Sequence, residues 1–148
     1  MTTRLDYRRV GQDALRAMMG LETYVRGAGL EPTLLELVKL RASYMNGCAY
    51  CVDMHTKDAR AAGESEQRLY AVPVWRETPF FTARERAALA LVEHVTLIAQ
   101  GGVPDAVYDE AARQFPEAEL AALIGLCVVI NAWNRINVTC RATPQPRD

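Results

Sequence analysis

The sequence predicts an all-α fold of six to seven helices, and three observations favour it. Apolar residues recur at helical spacing along most of the 148-residue chain, whereas no useful length alternates with the period of two that a strand requires. Proline, glycine and capping residues separate the apolar segments at intervals that suit helices. Since this length is typical of one domain, we expect residues 1–148 to form a single helical unit.

Glycine and proline delimit the first two predicted helices. The segment from Gln12 to Arg26 carries apolar residues at helical spacing, and Gly27 ends it. A second helix is predicted to begin at Glu31-Pro32, because proline is favoured at the first helical position. It continues to Asn46-Gly47, a dipeptide that is typical of a helix end.

Two further helices and an irregular stretch follow. A third helix is predicted from near Cys48 to Gly63, and a short helix begins at Ser65. The stretch from 72 to 81 contains two prolines, so we expect it to be irregular.

A capping box, Thr82-Ala83-Arg84-Glu85, begins the next helix, because the threonine hydroxyl and the glutamate each satisfy a backbone N–H there. This helix is predicted to extend to about Gln100, and another to extend from Pro104 to Phe115-Pro116. The last is predicted from Glu117 to Cys140. Its part from Leu120 to Val138 is apolar on nearly every face, which is typical of a central helix or of a subunit contact. We therefore expect an oligomer.

Composition and charge exclude several classes of function. The formal net charge is −1 and the arginines alternate with acids, so no cluster of cations suits a nucleic acid. The N-terminal residues lack the apolar region of a signal peptide, and the longest candidate, residues 120–130, is too short to span a membrane. Glycine-rich phosphate loops and GxSxG motifs are absent. We expect a cytoplasmic protein, whose four cysteines are then catalytic, metal-binding or inert rather than structural disulfides.

The chemistry is concentrated in residues 36–55, which read ELVKLRASYMNGCAYCVDMH. Cys48, Cys51 and His55 are separated by three, four and seven positions, so they share one face of a helix. The Asn46-Gly47 turn places Cys48 in the first helical turn, where free N–H groups and the helix dipole stabilise a thiolate. Cys48 is therefore predicted to be an acidic thiol.

Two cysteines at this spacing can close a disulfide, and His55 can exchange a proton near neutral pH. Glu36 lies on the preceding helix, about three helical turns before Asn46-Gly47. If the two helices pack as an antiparallel pair, its carboxylate could orient the imidazole or accept its proton, directly or through water. The pattern therefore predicts a dithiol that cycles between reduced and oxidised forms, with Glu36 and His55 in support.

Five stretches of the sequence are distinctive: LVKLRAS at 37–43, NGCAYC at 46–51, DMHTKDAR at 53–60, FTARERAALA at 81–90 and INAWNRINV at 130–138. Through them most of the chain, from about residue 5 to 142, resembles AhpD-like members of the carboxymuconolactone decarboxylase family. One departure is Tyr44-Met45, where relatives often have glutamine and an aliphatic residue, and this could change the peroxide pocket.

The resemblance implies an all-helical trimer or hexamer that reduces hydroperoxides with its CxxC pair, which a thiol reductant then regenerates. Its proton relay uses a glutamate and a histidine at the positions that Glu36 and His55 occupy here. We expect no bound cofactor and no metal, and neither a nucleic acid nor a membrane as partner.

Other roles for the cysteines remain open from the sequence. A zinc site could combine Cys48, Cys51 and His55 with a fourth ligand, and the pair could also be two inert core cysteines. Candidates for the fourth zinc ligand are Cys127, Cys140 and His94. Of these, Cys127 is expected to be a small buried hydrophobe, Cys140 could be exposed, and His94 suits a structural role.

Other functions are open too. Lyase branches of the family act on a carboxymuconolactone-type ring, although they generally lack the cysteine pair, and a non-enzymatic redox sensor is a further alternative. Dipole reasoning favours Cys48 as the thiol that attacks peroxide, whereas AhpD-type relays favour Cys51.

Several polar and aromatic residues are assigned structural roles. The polar groups Asn131, Asn134 and Arg135 on the apolar last helix need partners if buried, so they are predicted to hold helices or subunits together. Packing roles are expected for Tyr44, Tyr50 and Trp133, and Tyr44 could also line the thiol pocket.

Overall fold

Eight α-helices and two short 3-10 helices form most of residues 2–146, the part of the chain that this computed structural model describes, and none of these residues lies in a strand. The all-α prediction is confirmed. The α-helices are α1 (Tyr7–Val10), α2 (Gln12–Gly27), α3 (Pro32–Met45), α4 (Ala49–Ala61), α5 (Glu66–Ala71), α6 (Ala83–Thr96), α7 (Asp105–Gln114) and α8 (Glu117–Cys140).

The helix ends follow the signals in the sequence. Pro32 is the first residue of α3, and the capping box at Thr82 and Glu85 is present with both of its hydrogen bonds. Asn46 caps the end of α3, and Gly47 follows with a φ of +64°, a left-handed conformation that glycine adopts without steric penalty. The chain can therefore reverse within three residues before α4 begins.

Two elements differ from the prediction. Helix α1, a single turn capped by the Asp6 carboxylate, raises the number of α-helices to eight, and one turn is too short to show a periodicity. Helix α6 ends at Thr96, and the chain continues through the 3-10 helix Ile98–Gln100 to Gly101. The irregular stretch contains the other 3-10 helix, Val72–Glu77.

Helix α8 lies at the centre of the fold. It packs against α2, α3, α4, α6 and α7, and Leu123, Leu126 and Ile130 are fully buried. Burying each such side chain stabilises the fold by roughly 1.5–3 kcal/mol. By length and composition alone α8 could cross a membrane, so its apolar region is longer than residues 120–130 suggest, but its buried side chains belong to the main hydrophobic core of the chain.

A buried polar cluster joins the end of α3 to α8. The Asn46 amide donates to the Oδ1 atoms of Asn131 and Asn134, at 3.0 and 2.9 Å. Asn134 donates in turn to the Ser43 hydroxyl at 3.0 Å, and Asn131 donates to the Thr96 hydroxyl at 3.0 Å. These asparagines therefore hold helices together, as the sequence predicted, and they fix the turn that precedes α4.

Replacing Asn134 should loosen this cluster. We expect Asn134→Ala to lower the free energy of unfolding by about 1–3 kcal/mol, because it removes one buried and one partly buried hydrogen bond and leaves their partners without full compensation. Urea denaturation followed by circular dichroism measures the change. Thr139→Ala, at an exposed position of the same helix, is the control. Equal stability of the two variants would show that the cluster does not hold the helices.

Candidate active site

Cys48 and Cys51 are joined by a disulfide at the beginning of α4, and their Cα atoms lie 5.3 Å apart. Cys48 is the N-cap residue, and its Sγ accepts a hydrogen bond from the Cys51 backbone N–H at 3.3 Å. The two residues are only 2% and 1% exposed. The structure thus brings both sulfurs into the opening turn of one helix, where backbone N–H groups favour negative charge on sulfur.

Glu36 and His55 are in direct contact. The Glu36 Oε2 atom lies 2.8 Å from His55 Nδ1, and both side chains are buried. The contact is direct because α3 and α4 run antiparallel on either side of the Asn46-Gly47 turn, which brings residue 36 opposite residue 55. With Nδ1 held by the carboxylate, Nε2 is the imidazole nitrogen left for proton transfer.

A cavity of about 520 Å³ lies beside this pair, and we name it the thiol cavity. Cys51 and His55 lie on its wall, whereas Cys48 does not. A volume of this size is typical of sites for small molecules. Its wall is mostly apolar or aromatic, and the residues of that character are Tyr7, Leu15, Met19, Tyr50, Met54, Trp133 and Ile136.

The aromatic residues at the cavity differ from the expectation. Tyr44 is 37% exposed and lies outside the thiol cavity, whereas Tyr50 and Trp133 line it. The Arg8 guanidinium of α1 donates to the Tyr50 hydroxyl, so the unpredicted first helix contributes to the wall. Tyr44 does not line the pocket because it lies five positions, about 140° of helix rotation, from Lys39, the α3 residue that does.

Asn137 of α8 is a site residue to which the sequence reasoning gave no role. Its Nδ2 atom donates to Cys51 Sγ at 3.4 Å, and its side chain also lines the thiol cavity. The available signal was spacing, because Asn131, Asn134 and Asn137 recur at intervals of three on a largely apolar helix. That pattern indicates one polar face, which runs from the structural cluster to the sulfur.

A buried ion pair, also unpredicted, lies on the cavity wall. Lys39 is 1% exposed and pairs with Glu22, whose Oε1 also accepts from Arg26 Nε at 3.1 Å. Arg26 lies 3.7 Å from Glu36 Oε1, so this pair is connected to the Glu36–His55 contact. Burial alone would raise the pKa of Glu22, but Lys39 and Arg26 outweigh it and hold that pKa below its usual range. The pair therefore contributes stability near neutral pH that is lost as the pH falls through the folded-state pKa.

The proposed ligands of a zinc site are not assembled. Cys127 is fully buried in the apolar core, and Cys140, which could have been exposed, is 8% exposed. Within residues 2–146, one group of three potential metal-ligating side chains has its ligand atoms within 4.8 Å of one another, and that group contains no cysteine. Its members are Glu36, His55 and Asp58.

Comparisons with known proteins agree with the fold and with the sequence pattern. The sequence model of the carboxymuconolactone decarboxylase family matches residues 12–94. The uncharacterized protein YdfG of Bacillus subtilis (strain 168) is 41% identical over 138 residues, which cover 93% of this chain and 94% of YdfG.

Several solved structures are similar, among them two that differ widely in sequence identity to this chain. One, from Agrobacterium tumefaciens, is a protein of unknown function that is named as a candidate AhpD antioxidant defence protein. It is 43% identical with a TM-score of 0.93, over 99% of this chain and 100% of that one. The debrominase Bmp8 is 19% identical with a TM-score of 0.77, over 91% of this chain and 73% of Bmp8, and this likeness concerns the fold alone.

The cysteines should differ sharply in reactivity. Burial raises the pKa of the Cys127 thiol to about 12, so at pH 8 almost none of it is thiolate. We expect iodoacetamide to modify Cys51 in the reduced, folded protein and to leave Cys127 intact until the chain is unfolded in guanidinium. Peptide mapping by mass spectrometry measures both. Modification of Cys127 at the same rate in the folded protein would contradict its burial.

Proposed function

The chain belongs to the carboxymuconolactone decarboxylase family, and within it we propose that this protein is a thiol-dependent oxidoreductase of the AhpD type that reduces hydroperoxides. One observation carries the proposal: Cys51 and His55 share the wall of the thiol cavity. Cys51 forms a disulfide with Cys48, and His55 forms a hydrogen bond with Glu36. The likeness to the candidate antioxidant defence protein of Agrobacterium tumefaciens, at 43% identity, supports the same class of reaction.

Cys51 is the thiol that meets the peroxide in this proposal, because it faces the thiol cavity and Cys48 does not. His55 takes the proton of the Cys51 thiol, and Glu36 stabilises the resulting imidazolium. The thiolate attacks the terminal oxygen of the hydroperoxide and the O–O bond breaks. The departing alkoxide takes the proton from His55 and leaves as the alcohol, while Cys51 becomes a sulfenic acid.

Cys48 then resolves this intermediate. Its sulfur attacks the sulfur of the Cys51 sulfenic acid, and the hydroxide that leaves combines with the Cys48 thiol proton to form water. The product is the disulfide that the structure contains. Two equivalents of a thiol reductant restore the dithiol by exchange at Cys51 and are themselves oxidised to a disulfide. The cycle needs no bound cofactor, and a reducing compartment such as the cytoplasm suits it.

We also propose that the protein is a homo-oligomer. Three large apolar side chains, Tyr24 of α2 and Ile124 and Val128 of α8, are exposed. Helices α2 and α8 are in close contact beside these side chains. The distance shows it, since a Cβ added at Gly125 of α8 would lie 3.8 Å from the Tyr24 ring of α2. An exposed apolar surface of this kind is typical of a subunit contact.

The two cysteines should fail in different ways when replaced. We expect Cys51→Ser to abolish hydroperoxide turnover with a dithiol reductant, because it removes the nucleophile. Cys48→Ser should also stop turnover, but one equivalent of peroxide should leave a sulfenic acid at Cys51 that dimedone traps. Mass spectrometry identifies the adduct, and Cys140→Ser is the control, with turnover unchanged.

Other results of this experiment point elsewhere. If neither cysteine variant loses activity, the proposed chemistry is wrong. Consumption of one equivalent of peroxide by the unaltered protein, with no turnover, would indicate a redox sensor. The cysteine pair itself favours peroxide reduction over the lyase reaction of the family.

The contact between Glu36 and His55 should set the rate. We expect Glu36→Gln to lower kcat/KM for a hydroperoxide by about 100-fold, since a neutral amide cannot stabilise the imidazolium and proton transfer typically contributes about 10²–10⁴-fold. Steady-state kinetics from pH 5 to 9 measure the effect. Glu77→Gln, at an exposed position, is the matched control. An unchanged pH profile in Glu36→Gln would remove Glu36 from the mechanism.

A further inference from the structure

Helix α8 brings one side-chain amide to the redox pair, and the chemistry above does not use it. The Asn137 Nδ2 atom donates to Cys51 Sγ at 3.4 Å, across 86 positions of sequence. This distance is within the range for a hydrogen bond to sulfur, and the contact depends on the packing of α8 against α4.

The two sulfurs receive hydrogen bonds from different sources. The sulfur of Cys48 accepts from the Cys51 backbone N–H, which belongs to the opening turn of α4 itself. The Cys51 sulfur accepts from Asn137, a side chain of another helix. A backbone donor is present in any helix with a cysteine at its N-cap, whereas the donor to Cys51 depends on the residue at position 137.

Asn137 does not belong to the polar cluster that holds the helices together. Asn131 and Asn134 donate to hydroxyls and accept from Asn46, and they are buried. Asn137, one turn further along α8, lines the thiol cavity and donates to sulfur. Its position is therefore that of a group within the reaction site.

An amide N–H distinguishes strongly between the two forms of a cysteine. The sulfur of a neutral thiol is a weak acceptor, whereas a thiolate is an anion. A hydrogen bond to a charged group contributes about 1.5–3 kcal/mol, and it favours the charged form. The Asn137 amide therefore increases the fraction of Cys51 that is present as the reactive thiolate.

We propose that Asn137 is a catalytic residue whose amide N–H stabilises the Cys51 thiolate and so makes Cys51, on the cavity wall, the attacking sulfur. The inference rests on the proposed function, because it concerns the step with which peroxide reduction begins. The role of Asn137 is tested without peroxide, however, so this role and the proposed peroxidase function can fail separately.

The test compares thiol titrations of Cys51 in a Cys48→Ser background, where no disulfide can form. The rate of alkylation by iodoacetamide is measured against pH by mass spectrometry. We expect Asn137→Leu to raise the midpoint by about 1–2 pH units, so that alkylation well below the midpoint slows by about 10–100-fold. Asn137→Asp should raise it further, because a carboxylate then faces the thiolate.

The comparison is matched in its other charges. The ionisable groups that share the thiol cavity with Cys51 are the same in every variant, so their effects cancel. They are Tyr7, Arg8, Glu22, Arg26, Lys39, Tyr50, His55 and Asp58. Val138→Ala, on the exposed side of α8, is the control and should leave the midpoint unchanged. Circular dichroism verifies that each variant is folded, and Asn137→Ala replaces Asn137→Leu if the larger side chain prevents folding.

The outcomes separate the two proposals. An unchanged midpoint in folded Asn137→Leu or Asn137→Ala would overturn the role of Asn137, whatever the peroxide activity. Equal shifts in the leucine and aspartate variants would also overturn it, because they would indicate a change of packing. A shift in the expected order in a protein that does not turn over hydroperoxide would keep the role of Asn137 and refute the peroxidase function.

Discussion

The reversal of the chain at Asn46-Gly47 is the constraint on which the site depends. Gly47 has a left-handed backbone conformation, and the Asn46 amide is bonded to two asparagines of α8. Together they end α3 and begin α4 within three residues. The reversal places Cys48 and Cys51 in the first turn of α4 and brings Glu36 opposite His55. A looser connection would allow α3 to slide along α4, and the carboxylate would then miss the imidazole.

The sequence could predict those parts of the fold that depend on local signals. Pro32 and the capping box at Thr82 are signals within one turn, and both mark helix ends in the structure. The spacing of Cys48, Cys51 and His55 likewise predicts one helical face, since three and four positions always meet on a helix. The contact of Glu36 with His55 followed from the same spacing once the two helices were expected to pack as an antiparallel pair.

The rest of the site depends on packing between distant helices, which local patterns do not encode. Asn137 meets Cys51 only because α8 packs against α4, and Lys39 meets Glu22 because α2 and α3 both pack against α8. Helix α1 has one turn and so shows no periodicity, yet its Arg8 reaches Tyr50 on the cavity wall. Tyr44 was expected to pack and could also have lined the pocket, but it lies on a different face of α3 from Lys39, which does line it.

The bond between the cysteines closes a ring that spans three positions within one helical turn. A crosslink this local restricts the unfolded chain little, and loop entropy gives it about 2 kcal/mol, less than a bond between remote segments would give. It joins no two helices, so breaking it releases no element from the bundle. We therefore expect reduction of this disulfide to change the first turn of α4 and to leave the packing of the helices as it is. Such confinement suits a catalyst better than a switch, which must transmit its oxidation state to other parts of the molecule.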